Sequence, residues 1–218
     1  MSNRPVWLFP AIALGAAVIL GGALAAAVVS RGADDTGPRS GAVRVSGEAQ
    51  IGGPFTLVNQ DGETVTEETY RGKAMLIYFG FTYCPDVCPM SLQVMDAALA
   101  RLDEDQRAAF QPILISVDPE RDTPQALADY VRADAFPEGL VGLTGSAEQV
   151  RDAARAYRVF YARVEDDGVS NAYTVDHSSL IFLMDQDGSF ADVFPHGTSP
   201  EQLASRLQQF LEENPGQS

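Results

Sequence analysis

Met75-Leu76-Ile77-Tyr78-Phe79-Gly80-Phe81-Thr82-Tyr83-Cys84-Pro85-Asp86-Val87-Cys88-Pro89 is the stretch that decides the fold. Met75 to Phe79 is continuously apolar, with β-branched and aromatic types, and predicts a buried strand. Pro89 onward predicts a helix, because proline in a first helical turn gives up an N–H that has no partner there. Leu92, Met95, Leu99 and Leu102 then mark one apolar helical face. Cys84 and Cys88, the chain's 2 cysteines, therefore lie where a strand feeds a helix N-terminus. Backbone N–H donors and the positive end of the helix dipole stabilise thiolates at such a place.

Thiolates are soft ligands. A pair of them suits Cu(I) or zinc, and a dithiol also suits disulfide exchange. A structural disulfide, or two buried thiols, is the alternative that spacing alone leaves open. Pro85 and Pro89 weigh against it, since a proline beside each cysteine makes a stiff loop that fixes where the sulfurs point.

Outward from this stretch, Pro54 to Val58 and Thr64 to Thr66 flank Asp61-Gly62 and predict a short hairpin. Pro112 to Val117 predicts a second buried strand, ending at the turn-rich Asp118-Pro119-Glu120-Arg121-Asp122. Thr123 as N-cap and Pro124 in the first turn open a helix to about Arg132. Leu140 to Leu143 is a short strand, and Ser146 with Gln149 forms a capping box for a helix to Tyr157. Val159 to Val164 reads as another strand. Ser179–Met184 and Ser189–Phe194 flank a turn at Asp185-Gln186-Asp187-Gly188, and Ser199-Pro200-Glu201-Gln202 begins the last helix. Buried strands alternating with helices predict a three-layer α/β domain over residues 51–213. A βαβ unit followed by ββα is the thioredoxin-like order.

The chain has 2 histidines. His177 immediately precedes the apolar run Leu180–Met184. If that strand lies antiparallel to Met75–Phe79, His177 sits over the cysteine loop. The competing reading is a histidine hydrogen-bonded at a strand start. His196, between Pro195 and Gly197, reads as a loop residue. Two thiolates and an imidazole suit copper, whereas structural zinc normally takes four protein ligands. Asp176 and Asp86 flank these donors and are read as non-ligands, the first as a candidate to orient His177.

Val6 to Val29 carries no charge and is long enough to cross a hydrocarbon core of ~30 Å. Residues 1–5 are then a short tail, 6–29 an uncleaved transmembrane anchor, and 30–50 a Gly-, Ser- and Arg-containing linker. The formal charge of −15 argues against nucleic acid and anionic lipid as ligands.

Four segments together resemble the Sco/SenC family of membrane-anchored copper chaperones: Gly53–Leu57, Gly80–Pro89, Val117–Pro124 and Val175–Ser178. The resemblance implies a thioredoxin-like domain in the periplasm, or in the mitochondrial intermembrane space of a eukaryote. It implies copper, as Cu(I) or Cu(II), held by Cys84, Cys88 and His177. It implies delivery to the dinuclear copper A centre of cytochrome c oxidase subunit II, by a chaperone and not an enzyme, with other copper-handling proteins as further partners. The alternative it carries is a thiol–disulfide oxidoreductase, with Cys84 and Cys88 as the redox pair, acting on the cysteines of that subunit or of another exported protein.

Overall fold

The computed structural model describes residues 51–165 and 173–215. The expected tail, anchor and linker lie outside the described residues. Among the described residues no helix is long and apolar enough to cross a membrane.

Among the described residues there are nine strands: β1 Thr56–Asn59, β2 Thr64–Thr66, β3 Ala74–Gly80, β4 Phe110–Ser116, β5 Val141–Thr144, β6 Tyr161–Glu165, β7 Tyr173–His177, β8 Leu180–Met184 and β9 Phe190–Pro195. The α-helices are α1 Val87–Leu99, α2 Glu104–Ala108, α3 Pro124–Val131, α4 Ala147–Ala156 and α5 Pro200–Glu213. Seven strands form one mixed sheet in the order β2-β1-β5-β4-β3-β8-β9, and β6 pairs with β7 in a separate ribbon.

β3 is central and buried at every position, as its continuous apolar run requires. It runs parallel to β4 and antiparallel to β8, with Tyr78 opposite Leu114 on one side and Ile181 on the other. The antiparallel β8 is the orientation on which the placement of His177 depended.

Side-chain alternation separates the two faces of β3. Ala74, Leu76, Tyr78 and Gly80 share one face. Phe110 of β4, opposite Ala74, meets Phe210 of α5 at 6.2 Å between ring centroids. A Cβ on Gly142 of β5 would touch Leu127 and Val131, which places α3 on that face too. Tyr157, at the end of α4, packs against Phe79 at 5.4 Å and Phe182 at 5.8 Å on the opposite face. Helices on both faces of a mixed sheet make the three-layer, thioredoxin-like domain.

Boundaries differ from expectation in instructive ways. The helix after the cysteine loop begins at Val87, before Pro89, and ends at Leu99. The chain then turns, and Asp103 with Gln106 builds a capping box for the short α2. β7 has no counterpart in the sequence reading. Only Val175 in it is buried, so its pattern resembles a polar approach to β8. Its pairing, Tyr161 opposite His177 through Glu165 opposite Tyr173, fixes the register of the ribbon.

Candidate metal centre

β3 ends at Gly80 directly under the cysteine loop. A Cβ there would lie 2.8 Å from Tyr78 Cε1 and 3.0 Å from Cys88 Sγ. Glycine is required because backbone, phenol ring and sulfur crowd one point. We expect Gly80→Ala to cost about 1–3 kcal/mol by overpacking, read as a lower thermal unfolding midpoint.

The loop uses one sulfur as a cap. Asp86 is the N-cap residue of α1, yet its side chain makes no capping hydrogen bond. Cys84 Sγ instead accepts from the Cys88 N–H at 3.3 Å. The helix N-terminus thus acts on Cys84, as the loop position suggests. Cys88 is different. It is fully buried, and that burial pushes its thiol up to about 12, with the neighbouring Cys84 adding to the rise. The expectation of a helix-stabilised thiolate at Cys88 is corrected: desolvation outweighs the backbone and Tyr78 hydrogen bonds that pull the other way.

His177 closes the site from the end of β7. Its Nε2 lies 3.3 Å from Cys88 Sγ, and its Nδ1 lies 3.3 Å from the Ser178 carbonyl. Burial holds the imidazole below its usual range, against the opposing pull of Ser178 and Asp176. It is therefore neutral near pH 7, with a ring nitrogen free to ligate. Asp176 is exposed and does not orient the ring: the carbonyl of Ser178 has that position. One donor atom each from Cys84, Cys88 and His177 lies within 4.8 Å of the others, and both cysteines are free thiols. Asp86 is exposed and outside this group, and His196 lies on the loop after β9, as expected.

The support beneath the loop comes from the segment Asp118–Asp122 and the residues it binds. Asp122 is fully buried and accepts three hydrogen bonds: Ser116 Oγ at 2.6 Å, Thr82 Oγ1 at 2.6 Å and the Thr82 N–H at 3.1 Å. Burial raises its carboxyl above the usual range, while these donors pull it back. Arg121 pairs with Asp118 and donates to the Tyr173 carbonyl at 3.0 Å. Its guanidinium lies 3.7 Å from the Tyr173 ring centroid and 4.7 Å from that of Tyr83. The Tyr173 hydroxyl donates to Asp118 at 2.7 Å. The segment from Asp118 to Asp122 thereby ties the cysteine loop to the strand carrying His177. Asp118-Pro119-Glu120-Arg121-Asp122 was visible as a motif, but its partners are remote in sequence.

Two soft thiolates, one neutral imidazole and a half-buried opening at Cys84 suit a soft or borderline metal ion exchanged through its exposed side. Three donors leave a tetrahedral structural zinc site one short.

The profile of the SCO1/SenC family matches residues 43–212. The mitochondrial SCO1 homolog 1 of Arabidopsis thaliana is 44% identical over 149 residues, which are 68% of this chain and 43% of that protein. The chain spans about half the length of the named relatives it matches. Bradyrhizobium japonicum ScoI, solved with copper bound, is 40% identical and covers 74% of this chain and 99% of that one, with a TM-score of 0.66. BsSco, in which a disulfide switch is described, is 25% identical over 73% of this chain and 93% of that one, with a TM-score of 0.57. It is described as a member of the Sco family of cytochrome c oxidase assembly proteins. With its family profile, its thioredoxin-like fold and its Cys-Cys-His cluster in agreement, this chain belongs to the SCO1/SenC family.

Proposed function

We propose that the chain is a copper metallochaperone. It holds one copper ion through Cys84, Cys88 and His177 and delivers it to the copper A centre of cytochrome c oxidase subunit II. The observation that carries this reading is the convergence of two free thiols and one neutral imidazole within 4.8 Å. The copper-bound ScoI relative and the description of BsSco's family as oxidase assembly proteins support it. The chain is tethered by the apolar segment 6–29 and the linker 30–50. Its domain, 51–213, faces the periplasm, or the intermembrane space in a eukaryotic cell.

Transfer proceeds by ligand exchange without a change in oxidation state. A recipient thiolate approaches the half-exposed Cys84 side and bonds to the metal, and the chaperone's thiolates then leave in turn. The test is to load the purified full-length chain with copper and add the copper-free soluble domain of subunit II. Copper appearing in the recipient, with the chaperone emptied, is expected. Retention by a fully loaded chaperone contradicts delivery.

His177→Ala is expected to weaken Cu(II) about 10–100-fold while changing Cu(I) far less, because imidazole matters more to the harder ion. Competition titrations with each ion check this. Equal, unchanged affinities would remove His177 from the ligand set.

A second reading rests on the same sulfurs. Cys84 and Cys88 are both reduced and adjacent, and BsSco carries a disulfide switch. As a dithiol, the pair transfers two electrons and two protons to a partner disulfide and becomes a disulfide itself. Copper and disulfide exclude one another. Rapid reduction of a disulfide-linked subunit II by the metal-free chain favours this role.

A further inference from the structure

His177 is held from both sides by groups that are not ligands. On one side the Ser178 N–H donates to the Phe160 carbonyl at 2.9 Å, and the Ser178 hydroxyl accepts from the Phe160 N–H at 3.2 Å. On the other side, the Tyr78 and Ser179 hydroxyls meet at 3.1 Å, and the Ser179 carbonyl accepts from the His196 N–H at 3.1 Å. Tyr78 is fully buried in the central strand. Its ring meets the imidazole edge-on, with centroids 5.9 Å apart and planes at 82°. Phe81 does the same at 5.9 Å and 87°. The imidazole therefore makes T-shaped contacts with two aromatic rings, and Ser179, two residues along, is hydrogen-bonded to one of them.

A tyrosine in this place needs a reason. The interior of the sheet accepts phenylalanine equally well, and a buried phenol must find a hydrogen-bond partner. Tyr78 finds one in Ser179, on the segment that carries His177, beside its contacts with Ser91 and the Cys88 sulfur.

We propose that the Tyr78–Ser179 hydrogen bond is a latch that sets the His177 imidazole over the two sulfurs. Tyr78 and Ser179 are then positioning residues for the oxidation state that depends on imidazole. Cu(I) is satisfied by two thiolates, whereas Cu(II) needs the nitrogen at a defined place. This inference rests on the copper reading above.

The test compares Tyr78→Phe, Ser179→Ala, their double variant and Ser179→Thr in the purified full-length chain. His177→Ala is run in parallel. Each is titrated with Cu(II) and, reduced, with Cu(I), and the Cu(II) form is recorded by electron paramagnetic resonance. Ser179→Ala is expected to weaken Cu(II) about 10–100-fold and Cu(I) less than about threefold, with altered copper hyperfine splitting; Tyr78→Phe, which also loses its contact with the Cys88 sulfur, should weaken Cu(II) at least as much. The double variant should be no weaker than the worse single one, and Ser179→Thr should restore binding. An unchanged Cu(II) spectrum and affinity in Tyr78→Phe overturns the latch. Equal losses for both ions in Ser179→Ala, or additive losses in the double variant, also overturn it. If His177→Ala weakens Cu(II) while Tyr78→Phe does not, only the latch fails. If His177→Ala leaves Cu(II) unchanged, the three-ligand reading fails with it.

Discussion

Cys88→Ser is expected to abolish tight copper binding while leaving the domain folded. Losing a ligand outright costs at least the 10–100-fold that loss of an outer hydrogen-bond partner costs, and we expect more than about 100-fold for Cu(I). Serine fits the site. The residue is fully buried, and its hydroxyl would have His177 Nε2, now 3.3 Å from the sulfur, as a partner. The thermal midpoint should therefore move little, so that lost binding reports ligation. The same residue sets a pH dependence. Because burial pushes the Cys88 thiol up to about 12, the free protein carries a proton there at neutral pH. Copper must displace it, so the apparent affinity of the native chain rises as pH rises, by about tenfold per unit for each proton released. In Cys88→Ser the contribution of that proton disappears. A Cu(I) affinity in Cys88→Ser within a few-fold of the native value would remove Cys88 from the ligand set.

Asp122→Ala is expected to give the largest loss of stability among the residues around the site. Its carboxylate accepts from Ser116 Oγ, Thr82 Oγ1 and the Thr82 N–H, and all three donors lose their partner together. Hydrogen bonds to a charged acceptor are each worth about 1.5–3 kcal/mol, and part of the sum is returned because a buried charge is removed. A net cost of about 3 kcal/mol follows, or roughly 6–12 °C in the unfolding midpoint of a domain of this size. The damage also reaches the metal. Thr82 lies two residues before Cys84, so an unanchored Thr82 frees the first sulfur from the geometry that lets it cap α1. Copper affinity should fall as well, by less than in Cys88→Ser. Circular dichroism melts and copper titration on the same sample check both parts. An unchanged midpoint would show that the buried carboxylate is not the anchor.

Much of this architecture is legible in the chain because it is written locally. The apolar run of β3, the prolines around the cysteines and the capping boxes at Ser146 and Ser199 each act within a few residues. His177 was legible for a different reason: an antiparallel β8 leaves few places for the residue before it. What stayed hidden depends on distant partners or on burial. Tyr173 reaches Asp118 across 55 positions, and Asp122 reaches Thr82 across 40, so no short-range pattern reports either contact. The half-polar β7 shows its nature only through its pairing with β6. The Cys88 thiol was expected to benefit from the helix end, but desolvation is the larger effect, and full burial cannot be read from one sulfur's neighbours in sequence. Asp176 adjoins His177 in sequence, yet strand alternation turns it to solvent, and a backbone carbonyl takes the orienting role.

The copper reading requires Cys84 and Cys88 together to hold one copper ion. It is tested most directly by titrating the reduced, purified full-length chain with Cu(I) against a chromophoric chelator, beside the Cys84→Ser/Cys88→Ser double variant. One copper per chain withdrawn from the chelator by the native protein, and none by the variant, is the expected result. No withdrawal by the native chain, or equal withdrawal by both, would contradict it.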